Sequence, residues 1–361
     1  MISKSFYESL EDLASERGLE IDKILEKVEV ALQIACKNSD VPYKGTVKLE
    51  SDTEKKKIRF FNYTYVVDEI DPEGPKGQIL LEDAKLIKAK AKVGQVWKEE
   101  IDLSIFKRKA AGLFKQTLLN ELKGLEREEA YNFFADKEGE IVSGKVVSSN
   151  EHFVTLNLSR GVDATISLKD CIPGETFYEG EMKKVYVVSV EKTSKGPKIV
   201  LSRNNREIVK KLFELNIPEV ASGTIEIMGI SRDAGSRSKV GVLSVNGDID
   251  PKGACVGAGG ARIRQINNDL NGEKIDIFVW KSDASNLIAE ALTPARVLSV
   301  MTDDKEKRAT VIVSDDQYSL AIGRGGQNTR LAAMATGWKI DIKKLSDATD
   351  EKLKFDFNIH F

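Results

Sequence analysis

The sequence predicts a multidomain α+β protein: an N-terminal α/β domain with a long exit helix, a small all-β barrel, and two tandem α/β modules. Three patterns carry that expectation. A 3.6-residue apolar period marks residues 1–40 and returns from Ile105. Between residues 137 and 202 it gives way to short β-like runs separated by turn residues. A block around Gly257 recurs around Gly323, an internal repeat of about 66 residues.

Taken in order, SFYESLEDLASERG places Phe6, Leu10 and Leu13 on one helical face and stops at Gly18. EIDKILEKVEVALQIACKN repeats apolar residues at Ile21, Ile24, Leu25, Val28, Leu32 and Ala35. GTVKLE and KKIRFFNYTYVVDEI are β-rich, DPEGPKG is a turn, and LEDAKLIKA is a short connector. The pattern from Ile105 to about Lys137 is one long helix, with Leu113, Phe114, Leu118, Leu122 and Leu125 as packing residues. These elements form a first domain over residues 1–130.

Composition excludes several function classes. The chain has 361 residues, 41% of them apolar and 31% charged, and a formal charge of −2. It does not attract nucleic acid by bulk charge. No apolar run approaches the roughly 18 residues of a membrane helix, and the N-terminus has no apolar signal core. Three cysteines, Cys36, Cys171 and Cys255, form no CxxC pair, which fits a reducing cytoplasm. The two histidines, His152 and His360, lie far apart, which argues against zinc. No GxSxG, HExxH or GxxxxGK[ST] motif is present, so the expectation is a protein with no catalytic residues, metal or cofactor.

The β-rich segment divides into five runs: Ile141–Val147, Phe153–Leu158, Val162–Ser167, Met182–Val190 and Lys198–Leu201. Five strands in about 65 residues is the size of a small closed barrel of the oligonucleotide-binding type. The spacing GxVxxV, FVTLNL, GVDATISLKD and IVLSR resembles the S1 motif over residues 137–203. Such barrels bind single strands with a basic groove and stacking aromatics. Lys145, His152, Phe153 and Arg203 are the candidates here. Phe153 serves either as a stacking ring or as barrel core. In a regular strand His152 and Phe153 point to opposite faces.

Aligning Gly257 with Gly323 matches ACVGAGGARIRQINNDLNGEKIDI to LAIGRGGQNTRLAAMATGWKIDI. Each copy reads as strand, short helix, GxxG, helix, strand, with SKVGVLSV and ATVIVS as the upstream strands. Glycines let a backbone approach closely, and the helix after the loop offers free N–H groups to an anion. The dinucleotide fingerprint fails because Arg262 and Asn328 stand where its third glycine belongs. A structural helix–turn–helix is the remaining alternative for one loop, and the duplication argues against it for two. The layout is that of a KH domain, whose GxxG loop clamps the backbone of about four nucleotides. The candidate set is Gly257, Ala258, Gly259, Gly260, Arg262 and Arg264 in the first copy. In the second it is Gly323, Arg324, Gly325, Gly326, Asn328 and Arg330. Val256, Ile263 and Ile277, then Ile322, Leu331 and Ile342, are expected to supply an aliphatic platform. The apolar connector residues Leu287, Ile288, Ala291 and Leu292 need burial, which predicts a rigid pair of modules. Boundaries are expected at 204–283 and 284–348, with a short tail over 349–361.

An α/β domain, an S1-type OB barrel and tandem KH modules in this order resemble the NusA family of bacterial transcription factors, over about residues 1–345. The blocks IDPKGACVGAGGARI, GEKIDI, LAIGRGGQNTRLAAMATGW and SRDAGSRSKVGV carry the likeness. The resemblance implies a non-enzymatic elongation factor that binds RNA polymerase and nascent single-stranded RNA and modulates pausing, termination and antitermination. It also implies contact with other termination and antitermination factors, a cytoplasmic location, and no membrane partner. The expected state is a monomer. By the same resemblance Arg108 and Lys115, seven residues apart on the exit helix, face exiting RNA; ordinary solvated cations are the alternative. Two departures stand out. The first loop carries Ala258-Gly259 where the family usually has a basic residue. The tail SDATDEKLKFDFNIHF is too short for the acidic repeats of some members, so autoinhibition by such repeats is expected to be absent. The competing reading is an S1/KH RNA-binding protein of translation or RNA decay.

Overall fold

The computed structural model describes residues 4–52, 55–247 and 249–350, so the expected tail lies outside them from residue 351. The chain forms two contact units, residues 1–134 with 191–197, and residues 135–190 with those from 198 on.

In the first unit, α1 (Lys4–Arg17) and α2 (Ile21–Lys37) precede β1 (Thr46–Asp52), β2 (Lys57–Val67) and β3 (Gln78–Leu80). Then come α3 (Leu81–Ile87), β4 (Val96–Glu100) and α4 (Arg108–Ala135). β2 is the hub of a four-stranded sheet, antiparallel to β1 and β4 and parallel to β3. The apolar stripe of α2 buries Ile24, Leu25, Val28, Leu32 and Cys36 against Val47, Ile58 and Phe60 of the sheet and Leu122 and Leu125 of α4. Phe114 and Leu118 pack on that core from the side, and Leu113 is half-buried. The long helix starts later than its apolar period suggests. The Asp102 carboxylate accepts the Ser104 N–H at 2.9 Å and opens a separate 3₁₀ turn, Leu103–Ile105, after which Phe106 is extended.

In the second unit, β5 (Ile141–Ser149), β6 (Phe153–Asn157), β7 (Asp163–Ser167), β8 (Met182–Thr193) and β9 (Gly196–Ser202) build a nearly closed barrel with strand order β7-β6-β5-β8-β9. Val146, Val154, Leu156, Ile166, Val185 and Val187 fill its interior. They sit at alternate positions of their strands, which is the period that made the barrel legible. The first module follows as α5 (Glu207–Asn216), α6 (Pro218–Ala221), β10 (Ile225–Asp233), β11 (Arg237–Ser244), α7 (Pro251–Val256), α8 (Ala261–Asp269) and β12 (Lys274–Val279). The second comprises α9 (Ala284–Ala291), β13 (Ser299–Asp303), β14 (Arg308–Val313), α10 (Tyr318–Ile322), α11 (Gln327–Thr336), β15 (Lys339–Lys344) and α12 (Leu345–Asp350).

The two modules repeat one topology. In each sheet the first strand runs antiparallel to the second, and the third runs parallel to the second after the helical crossover. They pack back to front. Ile275 and Ile277 of β12 face the first core, whereas Phe278 and Trp280 join the second. α11 lies on the far side of the first sheet, where the Ser231 hydroxyl donates to the Leu331 carbonyl at 2.6 Å. At Gly229 the backbones come so close that a Cβ would stand 2.3 Å from the Ala335 carbonyl oxygen. Leu287, Ile288, Ala291 and Leu292 of the connector are buried in the second core, the burial their sequence demands.

Candidate nucleic-acid interface

The two GxxG loops follow the same backbone path. Gly257, Gly259 and Gly260 have φ/ψ of 74/170, 54/21 and 78/19 degrees. Gly323, Gly325 and Gly326 have 76/172, 57/28 and 76/12 degrees. All six lie at positive φ, where a Cβ is strained. Only one position in each loop is open to a side chain, and it holds Ala258 in the first and Arg324 in the second. Neither α8 nor α11 has a side chain capping its first turn, so the N–H groups behind each loop are available to an anion.

The cations divide by position. Arg324 is exposed, and its side chain has no ion pair or hydrogen bond to a described residue. Arg264 is exposed and bends one guanidinium N–H onto the Gly259 carbonyl, so it stays beside the first loop. Arg262 points inward instead: Nη1 donates to Glu219 at 2.8 Å and to the Ala254 carbonyl at 2.7 Å. Its own backbone N–H and then Arg262 hold the Glu219 carboxyl below the usual range. Asn328 occupies the equivalent place in the second module. It is buried and donates to the Ala321 and Leu292 carbonyls at 2.9 and 3.0 Å. A Cβ on Gly257 or on Gly323 would meet Arg262 or Asn328, respectively, at 2.8 Å. These two side chains therefore brace the loops from inside, which corrects their expected role as RNA contacts. Arg330 is exposed but pairs at 3.0 Å with Asp233 of the first module, and Gln327 donates to the same carboxylate at 2.7 Å.

The aliphatic platform also needs correction. Leu331, Ile277 and Ile342 are buried, Ile277 in the first core, Ile342 in the second and Leu331 on α11. Val256, Ile263 and Ile322 remain half-exposed beside the loops.

On the barrel, Lys145 pairs in register with Asn157 and Met182, and Phe153 with Ser167. Phe153 is four residues along β6 from Asn157, so Lys145 and Phe153 share the outer face about 13 Å apart. Phe153 is 49% exposed, which removes the core alternative. His152 lies in the turn before β6, where Asn150 accepts both the His152 and the Phe153 N–H. The regular-strand expectation fails there, and the two rings stand edge to face with centroids 6.3 Å apart. Exposed Met182 joins this face with no motif to announce it; its register partner Lys145 is the only signal.

Arg203 is the clearest correction. It is 1% exposed and forms a fork with Glu175. It also donates to the Lys184 and Asp269 carbonyls, tying the barrel to the first module. Beside it Arg232 bonds the carbonyls of Arg203 and Asn205 and the buried carboxylate of Glu273. A buried guanidinium with all its partners in place is structural. In the first unit Arg108 and Lys115 are exposed on α4. Among the described residues no group of His, Cys, Asp and Glu could hold a metal, and no helix is long and apolar enough to cross a membrane.

The chain matches family models described as the NusA N-terminal domain over residues 5–128 and the S1 RNA binding domain over 135–203. It also matches the NusA-like first KH domain over 203–280 and the NusA-like second KH domain over 284–350. It is 39% identical over 349 residues to the transcription termination/antitermination protein NusA of Bacillus subtilis, covering 97% of this chain and 93% of that one. The protein of the same name from Halalkalibacterium halodurans is 38% identical over 97% of this chain and 90% of its own length. That from Thermus thermophilus is 36% identical over 98% and 93%.

Proposed function

This chain belongs to the NusA family of transcription termination/antitermination proteins, and from that premise we propose how its parts divide the work. The chain is a transcription factor of termination and antitermination that carries S1 and KH RNA-binding domains. Residues 1–130 dock on RNA polymerase, with Arg108 and Lys115 of α4 turned to the exiting transcript. Residues 137–203, 204–283 and 284–348 take up nascent single-stranded RNA, at about four nucleotides for each KH domain. It acts in the cytoplasm as a monomer, open to further termination and antitermination factors, and it has no catalytic step.

The observation that carries this reading is the duplicated loop. Two segments of different sequence hold glycine wherever φ is positive and leave uncapped helix N-termini behind them. That arrangement accepts a phosphate backbone without reading bases. The near-neutral chain then binds free RNA modestly, and docking on the polymerase raises the effective concentration of the transcript.

The test is a capture experiment with polymerase and RNA as separate baits. A chain beginning near Gly139 should retain RNA and lose polymerase. Full polymerase binding by that shortened chain would overturn the assignment of residues 1–130.

A further inference from the structure

The second KH domain carries a ring and a cation at the end of α10 remote from the loop. Tyr318 and Ile322 are four residues apart and share one face of α10. Both pack at the edge of the second core. On β15, Ile340, Ile342 and Lys344 alternate onto one face. The first two belong to that core or its margin, and the third ends the strand with its Nζ 5.0 Å from the centroid of the Tyr318 ring. β15 is an edge strand parallel to β14, so its C-terminal end lies by the start of α10, away from Gly323–Gly326. Both side chains are half-exposed.

Lys344 has no carboxylate partner among the described residues. The acids of the preceding loop are engaged elsewhere. Asp315 accepts the N–H and hydroxyl of Ser346, and Asp316 accepts the Gln317 amide. Arg324 and Lys344 thus stand beyond opposite ends of α10, each without a carboxylate partner among the described residues. In the first domain Lys252 and Val279 hold the positions of Tyr318 and Lys344, so it has no ring–cation pair there.

We propose that Tyr318 and Lys344 form an additional single-stranded RNA contact at the end of the second KH groove, the ring stacking a base and the ammonium meeting the phosphate beyond it. The proposal rests on the KH assignment above and extends that domain's footprint past its loop. Stacking on a ring is tolerant of base identity, so the contact lengthens the tract without narrowing its sequence.

The experiment measures binding of the full chain to a mixed-sequence single-stranded RNA of about ten nucleotides across a salt series. Lys344→Gln should lower the slope of log K against log salt by about 0.7, the share of one phosphate. Tyr318→Phe should bind as the parent does, and Tyr318→Leu about fivefold or more weaker. RNA carrying 4-thiouridine should crosslink to Tyr318. If Tyr318→Leu fails to fold, the Lys344→Gln slope and the crosslink still decide. Arg324→Ala is the control. A reduced slope for Arg324→Ala with an unchanged slope for Lys344→Gln and no crosslink would overturn the contact and leave the KH reading standing. An unchanged slope for Lys344→Gln and no crosslink would overturn the contact whatever Arg324→Ala does, and no binding of the parent chain to this RNA would overturn the RNA-binding reading of the KH domains with it.

Discussion

Gly257–Gly260 and Gly323–Gly326 trace one path, yet the first loop offers Ala258 and the second Arg324 at the single position a side chain can take. The sheets behind them differ as well. The first is covered on both faces, by its own helices and by α11 of the second domain; Gly229 and Ser231 leave room for α11, and Gly241 for the rings of Phe278 and Trp280. At the matching register positions the second sheet carries Ser299, Met301 and Ile312. The second copy holds its cation inside the loop, at Arg324, whereas the first holds Arg264 beside its loop, on the Gly259 carbonyl.

The largest expected effect lies at the covered face. Gly229→Ala forces a Cβ into the Ala335 carbonyl and should cost about 2–3 kcal/mol in urea unfolding. Ser299→Ala, at the matching site of the second sheet, should stay within about 0.5 kcal/mol. Similar losses at both would erase the contrast between the faces.

Lys239, on that covered face, comes next. It is fully buried, donating to the Thr293 carbonyl at 2.8 Å and reaching Asp276 at 3.5 Å. Burial pulls its pKa down to about 8, against an opposing pull from Asp276. Below pH 8 the folded and unfolded chains both hold the proton, and the cost of burying the charge is constant. Between pH 8 and about 10.5 the unfolded chain still binds a proton that the folded chain has released, so stability rises with pH. From pH 8 to 10 the parent should gain about 2 kcal/mol more than Lys239→Met. Parallel stability curves for the two would mean that Lys239 keeps an ordinary pKa.

The loops supply a smaller and more pointed pair of tests. Arg262→Ala should lower stability by about 1 kcal/mol, by freeing Glu219 and the Ala254 carbonyl, with the salt slope of RNA binding unchanged. Ala258→Arg should raise that slope by about 0.7, giving the first loop the cation the second already has. This change adds a charge without disturbing a positive-φ glycine. If the slope does not move, the first loop does not touch phosphate, and the two copies differ in more than charge.

Much of this molecule was legible in one dimension, and particular residues show where legibility stops. The barrel strands announced themselves because alternation along a half-buried strand is a local property. The loops did so because three positive φ angles in four residues admit little besides glycine. Arg203, Arg262 and Asn328 read as RNA contacts for the opposite reason: a cation or amide near a loop looks the same in sequence whether it faces water or a carbonyl. Glu175 lies 28 residues from Arg203 and Glu219 lies 43 from Arg262, and no local pattern links such partners.

The sequence by itself determined the order of domains, the duplication, the glycine loops and the burial of the connector. Each follows from periodicity or from backbone sterics within a few residues. Only the tertiary structure decided which cations are free. Arg324 and Arg264 remain at the surface beside their loops, Arg330 is drawn to Asp233 across the domain contact, and Arg203 disappears between barrel and KH domain. The reason is physical. A guanidinium goes wherever fixed carboxylates and carbonyls replace its water, and their positions are set by packing between segments far apart in the chain.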